Sequence, residues 1–208
     1  MREPTRLFVL RHGRTAWNAE ARIQGQLDVP LDDVGRWQAE RLAEALAGEG
    51  ITTVYSSDLQ RALATAQPLV ARTGAVLHTD VRLRERGFGS FEGSTYAEIE
   101  ATWPEAARRW REREVDFRPG GGEALGSFYG RCVDAVLELS RSHPGQCIAI
   151  VAHGGVLDCL YRAAVGAELR APRSWQLGNA VINRLLFNGA NLTLVGWADA
   201  AHLASETL

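Results

Sequence analysis

Two short, wholly apolar runs, Leu7-Phe8-Val9-Leu10 and Ile148-Ala149-Ile150-Val151-Ala152, constrain this chain most, and each leads straight to a histidine and a glycine. Strands without polar alternation must be covered on both faces, which calls for a parallel sheet between two helical layers. The remaining sequence supplies helices in alternation with strand signals. Asp32 or Asp33 can cap a helix whose apolar positions Val34, Trp37, Leu42, Ala45 and Leu46 share one face, and Gly48 and Gly50 end it. Residues 52–55 read as a strand and Ser56-Ser57-Asp58 as a cap-rich corner. The next helix carries Leu59, Leu63, Ala66 and Val70 on one face and Arg61 in its first turn. Residues 123–142 spell a long helix, another runs from the second histidine to about residue 165, and residues 180–187 and 192–197 flank the turn Asn188-Gly189-Ala190-Asn191 as a hairpin. The expected fold class is α/β: a three-layer sandwich with a mostly parallel central sheet, helices on both faces and a helical lid excursion.

A length of 208 residues suits a single domain, 1–208, with the glycine-, tryptophan- and charge-rich stretch of about 86–120 as the lid or insertion. Lys and Arg total 23 against 25 Asp and Glu, so no global charge draws the chain to nucleic acid or to an anionic membrane. No apolar run approaches the roughly 18 residues a membrane span needs, and the N-terminus is polar. Cys132, Cys147 and Cys159 are odd in number, lack metal-ligand spacing and sit in apolar segments, as free thiols in a reducing compartment do. A cytoplasmic protein is expected, as a monomer or homodimer, the latter through an edge strand near the carboxyl-terminal hairpin.

In parallel α/β sheets ligands bind beyond the carboxyl ends of the strands, so His12 and His153 meet at one site if their strands are neighbours. A glycine after each histidine lets main-chain atoms approach a bound group, and a helix starting after His153 would aim N–H groups at an anion. The ligand this implies is a phosphate. No H-x-x-x-H, C-x-x-C or H-E-x-x-H spacing is present, and G-x-x-x-x-G-K-[ST] is absent, which disfavours a metal site and an NTPase.

The run Arg11-His12-Gly13-Arg14-Thr15-Ala16-Trp17-Asn18 resembles the signature of the histidine phosphatase superfamily, also called phosphoglycerate-mutase-like. The resemblance continues through Arg22-Ile23-Gln24-Gly25, Asp28-Val29-Pro30-Leu31, Ser56-Ser57-Asp58-Leu59-Gln60-Arg61-Ala62, Thr65-Ala66, Leu83-Arg84-Glu85, the stretch 87–93 and Ala152-His153-Gly154-Gly155, in the family's order over about residues 6–165. It implies a phosphoryl-transfer enzyme working through a phosphohistidine, with no metal and no cofactor. On matching positions His12 resembles the nucleophile, Arg11 and Arg61 the phosphate clamp, His153 the second phosphate-binding histidine and Glu85 the proton donor. Asn18, Gln24, Gly25 and Gly154 resemble phosphate or substrate contacts. Two guanidinium groups disfavour protonation of His12 and neutralise the transferring group, as Mg²⁺ does elsewhere.

Outside that set, Arg14, Arg22 and Arg86 are expected to be solvated, Glu92 to hold a loop, and His78, His143 and His202 to be surface or helix-end residues. Glu123 is kept out of the site, since Gly120-Gly121-Gly122-Glu123-Ala124 departs from the family's P-G-G-E-S run by an extra glycine and an alanine. In the lid, Arg108, Arg109, Arg111 and Arg113 with Trp103 and Trp110 either wall the pocket and favour an anionic leaving group, or form a solvated face over packed tryptophans. The expected activity is hydrolysis of small phosphorylated metabolites. The alternatives are a phosphoglycerate mutase, which shares the phosphate pocket, and a non-catalytic phosphate-binding regulator.

Overall fold

The computed structural model describes residues 3–204. Strand β1 (Thr5–Arg11) is followed by a one-turn helix, α1 (Ala16–Ala19), then α2 (Asp33–Leu46), β2 (Thr53–Ser56), α3 (Gln60–Thr73) and β3 (Val76–Thr79). The excursion between β3 and the next long helix comprises α4 (Tyr96–Thr102), α5 (Pro104–Arg111) and flanking short turns, and the chain returns through α6 (Leu125–Arg141), β4 (Cys147–Ala152) and α7 (Gly154–Val165) to β5 (Ile182–Phe187) and β6 (Leu192–Asp199). The six strands form one sheet in the order β3-β2-β4-β1-β5-β6. Its first four strands are mutually parallel and the terminal hairpin is antiparallel. The three-layer α/β arrangement expected from the apolar runs is therefore present. Strand β3 and helix α1 were not anticipated: Val76–Thr79 is an edge strand with mostly exposed side chains and no apolar run, while α1 is held by a capping box between Thr15 and Asn18.

The alternation of β1 and β4 divides the interior in two. Leu7, Val9, Ile148 and Ile150 pack with α6 and α7 on one face, and Phe8, Leu10, Ala149 and Val151 pack with α2 and α3 on the other. Every residue of β4 is buried, and each large aliphatic side chain so enclosed contributes roughly 1.5–3 kcal/mol. A smaller cluster around Phe91, Ile99 and Ala107 holds the excursion together, with Phe91 stacked on Trp103 at 5.4 Å between ring centroids.

The glycine after the first histidine serves packing. A Cβ at Gly13 would stand 2.4 Å from the Gly35 carbonyl oxygen, and one at Gly35 would stand 2.0 Å from that of Arg14. The turn after β1 thus lies backbone to backbone on the start of α2, whose Gly35 N–H is capped by Asp32 at 2.7 Å. The expectation that Gly13 makes room for a ligand is corrected: helix α2 occupies that face.

Ile150 lies at the centre of β4 with no exposed surface. Ile150→Ala is expected to cost about 2–5 kcal/mol in urea unfolding, whereas Val195→Ala, at a position 58% exposed on β6, is expected to change stability by less than about 0.5 kcal/mol.

Candidate active site

Parallel pairing of β1 with β4 sets Arg11 opposite Ala152, so the residues that follow, His12 and His153, leave the sheet side by side. Their ring centroids are 5.2 Å apart and tilted by 57°. Strand β2 lies on the other side of β4, and the turn after it delivers Ser57 and then Arg61 in the first turn of α3. Three adjacent parallel strands thus open their carboxyl ends on one point, where such sheets bind ligands.

The hydrogen bonds around the histidines define their chemistry. A carbonyl oxygen only accepts, so the 2.7 Å contact of His12 Nδ1 with the Gly13 carbonyl places the proton on Nδ1 and leaves the lone pair on Nε2. His153 Nε2 is 2.8 Å from the Ser57 hydroxyl, and that hydroxyl oxygen takes the Leu59 N–H at 3.3 Å. The hydroxyl can donate to Nε2 or accept from it, and it is when it donates that His153 Nδ1 carries the proton. Asn18 Oδ1 is engaged by Thr15 N–H at 3.1 Å and by Asn179 at 3.2 Å, so its amide nitrogen is the part left for a ligand.

The two arginines of the expected clamp are anchored by carbonyl oxygens. Arg61, 1% exposed, donates to Leu27 at 2.7 Å and to Gly25 at 2.8 Å. Arg11 donates to Leu177. Neither has a carboxylate partner among the described residues. Arg11 Nε, Arg61 Nε and His153 Nδ1 are buried with no protein partner among those residues, and so is Gln24 Oε1. Leaving a buried donor unpaired costs about 1–3 kcal/mol, and two guanidinium N–H groups in that condition beside His12 make a site for an anion with several oxygens. Arg11, His12, Asn18, Gln24, Arg61 and Glu85 all line this pocket, a cavity of about 180 Å³.

Glu85 stands at its inner wall. Its carboxylate accepts the N–H of Gly155 in the first turn of α7 and that of Arg86, both at 2.9 Å. A Cβ at Gly155 would fall 2.2 Å from Glu85 Oε1, so this glycine is required for the carboxylate to sit where it does. Gly154 opens α7 against the Arg11 guanidinium, and an added Cβ would meet only ordinary contact at 3.5 Å. The expected anion site at this helix start is thus shared: the N–H of Gly155 already holds Glu85.

Beyond Glu85 lies an inner chamber of about 170 Å³. It shares Glu85, Phe88, Tyr96 and Trp110 with the outer pocket and is also lined by Arg86, Arg113 and Arg173. Arg86 was expected to be solvated; it is 5% exposed, donating to the carbonyls of Glu123 at 2.8 Å and Phe117 at 3.0 Å. Arg108, Arg109 and Arg111 pair with carboxylates on the outer face of the excursion, so only Arg113 of the four lines this cavity. Glu92 holds its loop as expected, accepting N–H groups of Gln26 and Phe88, and Glu123 is paired with Arg131 at 2.7 Å. Ser57 and Asn179 were missed as parts of the site. Asn179 donates to the His12 carbonyl at 2.9 Å, yet in sequence it is a loop residue after a glycine, which reads as a turn.

A family model described as the histidine phosphatase superfamily (branch 1) matches residues 7–200. The chain is 42% identical over 200 residues to phosphoglycerate mutase-like protein 4 of Arabidopsis thaliana, covering 95% of this chain and 86% of that protein. It is 36% identical over 208 residues to the metal-independent phosphoserine phosphatase of the same plant, covering 98% and 85% respectively. Among solved structures it is similar to a mycobacterial glucosyl-3-phosphoglycerate phosphatase, with a TM-score of 0.84, 36% identity and coverage of 95% of this chain and 100% of that one.

Burial first, then the charges of Arg11 and Arg61, holds the pKa of His12 well below the usual imidazole value. Burial, then Arg61, His12 and Arg11, does the same to His153. Burial draws Arg61 down to about 10, which leaves it charged at neutral pH. Dehydration thus keeps the histidines neutral more than the arginines do. Both imidazoles stay unprotonated in the fold where the unfolded chain binds protons, so their contribution to stability is complete above about pH 6.5 and erodes as pH falls below it. Denaturant titrations between pH 7 and 5 should show stability falling by up to about 1.4 kcal/mol per pH unit for each histidine, with a shallower fall in His153→Gln.

Proposed function

Since the chain belongs to the histidine phosphatase superfamily, we propose that it is a metal-independent phosphomonoesterase that hydrolyses small phosphorylated metabolites through a phosphohistidine at His12. One observation carries this reading: the free Nε2 lone pair of a neutral, buried His12 stands beside the buried Nε–H donors of Arg11 and Arg61, which have no protein partner among the described residues. A phosphoryl group satisfies those donors and meets the nucleophile at once. Among the described residues no group of three or more His, Cys, Asp or Glu side chains is disposed to hold a metal ion, and no helix there is long and apolar enough to cross a membrane.

In this reading the Arg11 and Arg61 forks, His153 Nδ1–H and the Asn18 amide bind the equatorial oxygens. Phosphoryl transfer needs positioning and charge neutralisation above all. His12 Nε2 forms the bond to phosphorus as the ester P–O bond breaks, and Glu85 gives the departing alkoxide its proton. Water then attacks phosphorus, Glu85 takes a proton from it, the P–N bond breaks and orthophosphate leaves. The carbonyl at Gly13 holds the His12 ring, and Ser57 holds His153. Residues 86–120 act as the lid of the same domain, covering the alcohol side of the ester.

Phosphate release from a panel of alkyl phosphates and 4-nitrophenyl phosphate tests the reading. His12→Ala is expected to abolish turnover. Glu85→Gln should slow alkyl esters by about 10²–10⁴-fold and nitrophenyl phosphate far less, because nitrophenolate scarcely needs the proton. Chelators should leave the rate unchanged. Full activity in His12→Ala, or a requirement for added Mg²⁺, would overturn the mechanism. Isomerisation of 3-phosphoglycerate with and without 2,3-bisphosphoglycerate, run beside the panel, addresses the mutase activity suggested by the likeness to a mutase-like relative.

A further inference from the structure

One side chain from late in the chain holds the turn that carries His12. The Asn179 amide nitrogen lies 2.9 Å from the His12 carbonyl, 3.4 Å from that of Gly13 and 3.2 Å from Asn18 Oδ1. All three are acceptors, so the amide must face them with its NH₂ group. The Gly13 carbonyl is the one that fixes the His12 ring through Nδ1 at 2.7 Å. A single NH₂ group therefore touches both the carbonyl that orients the imidazole and the amide that offers a donor to the pocket. Asn18 has a second hold, from the Thr15 N–H and hydroxyl at 3.1 Å each, so the loss of Asn179 falls mainly on the two carbonyls.

Asn179 is itself fixed through its neighbour. Ala180 has no exposed surface and stands at φ 53°, a left-handed conformation that alanine adopts rarely and that persists where the surroundings over-determine it. Its N–H donates to the Arg11 carbonyl at 3.0 Å, and its carbonyl accepts from His202 Nε2 at 2.9 Å. Burial holds His202 below the ordinary imidazole value, so at neutral pH the ring carries one proton, and the Ala180 carbonyl puts it on Nε2. His202 belongs to the short turn Ala201–Leu203 after β6. Arg41 of α2 grips that turn through the His202 carbonyl at 3.2 Å.

Resting on the phosphatase reading above, we propose that Asn179 is a positioning residue for His12 and that His202 latches it in place through the Ala180 turn. A nucleophilic imidazole must keep its Nε2 lone pair in line with phosphorus, and a misplacement on the order of 1 Å costs about 10²-fold in rate. The His12 ring takes its bearing from the peptide at Gly13, and a glycine peptide is free to rotate unless something holds it. Asn179, bridging the His12 and Gly13 carbonyls, holds it. Neither Asn179 nor His202 touches a reacting atom; both act through the main chain.

The test measures kcat/KM for 4-nitrophenyl phosphate, the competitive inhibition constant of orthophosphate, and the ring nitrogen chemical shifts of His12, assigned with His12→Gln. Those shifts report the Nδ1–H and Nε2–H populations, and the Nδ1–H form is expected to predominate in the natural chain. Asn179→Ala should lower kcat/KM about 10–100-fold and move the ring toward a mixture of tautomers. The orthophosphate constant should change by less than about threefold, since the donors of Arg11 and Arg61 remain. His202→Ala should act in the same direction, by about three- to tenfold, and His202→Gln, whose amide nitrogen can stand in for Nε2–H, should recover most of the loss. His78→Gln, on the exposed edge strand β3, should leave every readout unchanged. Should Asn179→Ala fail to fold, Asn179→Asp, of the same shape with acceptors in place of the donor, gives the same readouts. A rate within twofold of the natural one, or a slower rate with the His12 tautomers untouched, overturns the positioning role; equal losses in His202→Gln and His202→Ala overturn the latch. If the natural chain releases no phosphate, hydrolysis falls, and the His12 tautomers alone decide whether Asn179 positions the ring.

Discussion

The parallel pairing of β1 with β4 is the constraint on which the rest of the molecule depends. Those strands share no sequence neighbourhood, yet their register puts Arg11 beside Ala152 and hence two imidazoles 5.2 Å apart at one sheet end. A slip of one residue would turn every side chain of β4 to the opposite face. It would exchange the aliphatic sets that pack against α6 and α7 with those that pack against α2 and α3, so register is enforced by both cores at once. The spacing of the histidines is inherited from that packing.

Anchoring by carbonyls is the second recurrent device. A buried guanidinium paired with a carboxylate spends its charge inside the protein. Arg11, Arg61 and Arg86 instead donate to main-chain oxygens, which fix direction while leaving the net positive charge to be neutralised by whatever enters. The cost is desolvation, visible in the lowered pKa values of Arg61 and Arg86, each about 10. The same dehydration keeps His12 neutral, so one physical cause acts on the imidazole and the guanidinium groups alike. Outside the site the arginines follow the opposite rule: Arg82, Arg84 and Arg108 lie in carboxylate pairs at the surface, where such pairs contribute little.

Much of this was legible in the chain. The apolar runs announced the sheet, the residues after them announced the histidines, and Arg61 fell in the first turn of a helix expected from periodicity. Features fixed by nonlocal packing were not legible. Gly13 looked like a ligand contact, but its lack of a side chain is demanded by Gly35 on another element. Arg86 looked like a solvated charge in a run of four arginines and acids, and only the return of residues 117 and 123 over it creates the carbonyls that bury it. Strand β3, with exposed side chains, is defined by its pairing with β2 and by no pattern of its own.

The strap of residues 166–181 shows why function is hardest to read where structure is irregular. It has neither helical nor strand periodicity, so its composition alone gives no reason to place Leu177, Asn179 or Arg173 near β1. Its course is set from beneath by α7, where buried Arg162 and Asp158 form an ion pair that also reaches Arg113 just after α5. A buried pair of this kind adds little net stability compared with apolar packing, but losing one member strands the other charge. Its effect here is geometric: one carboxylate on α7 couples the strap to the segment after α5, fixing two walls of the second cavity relative to the histidines. Changes in the shape of this cavity can therefore originate in residues that do not line it, through the position of the strap.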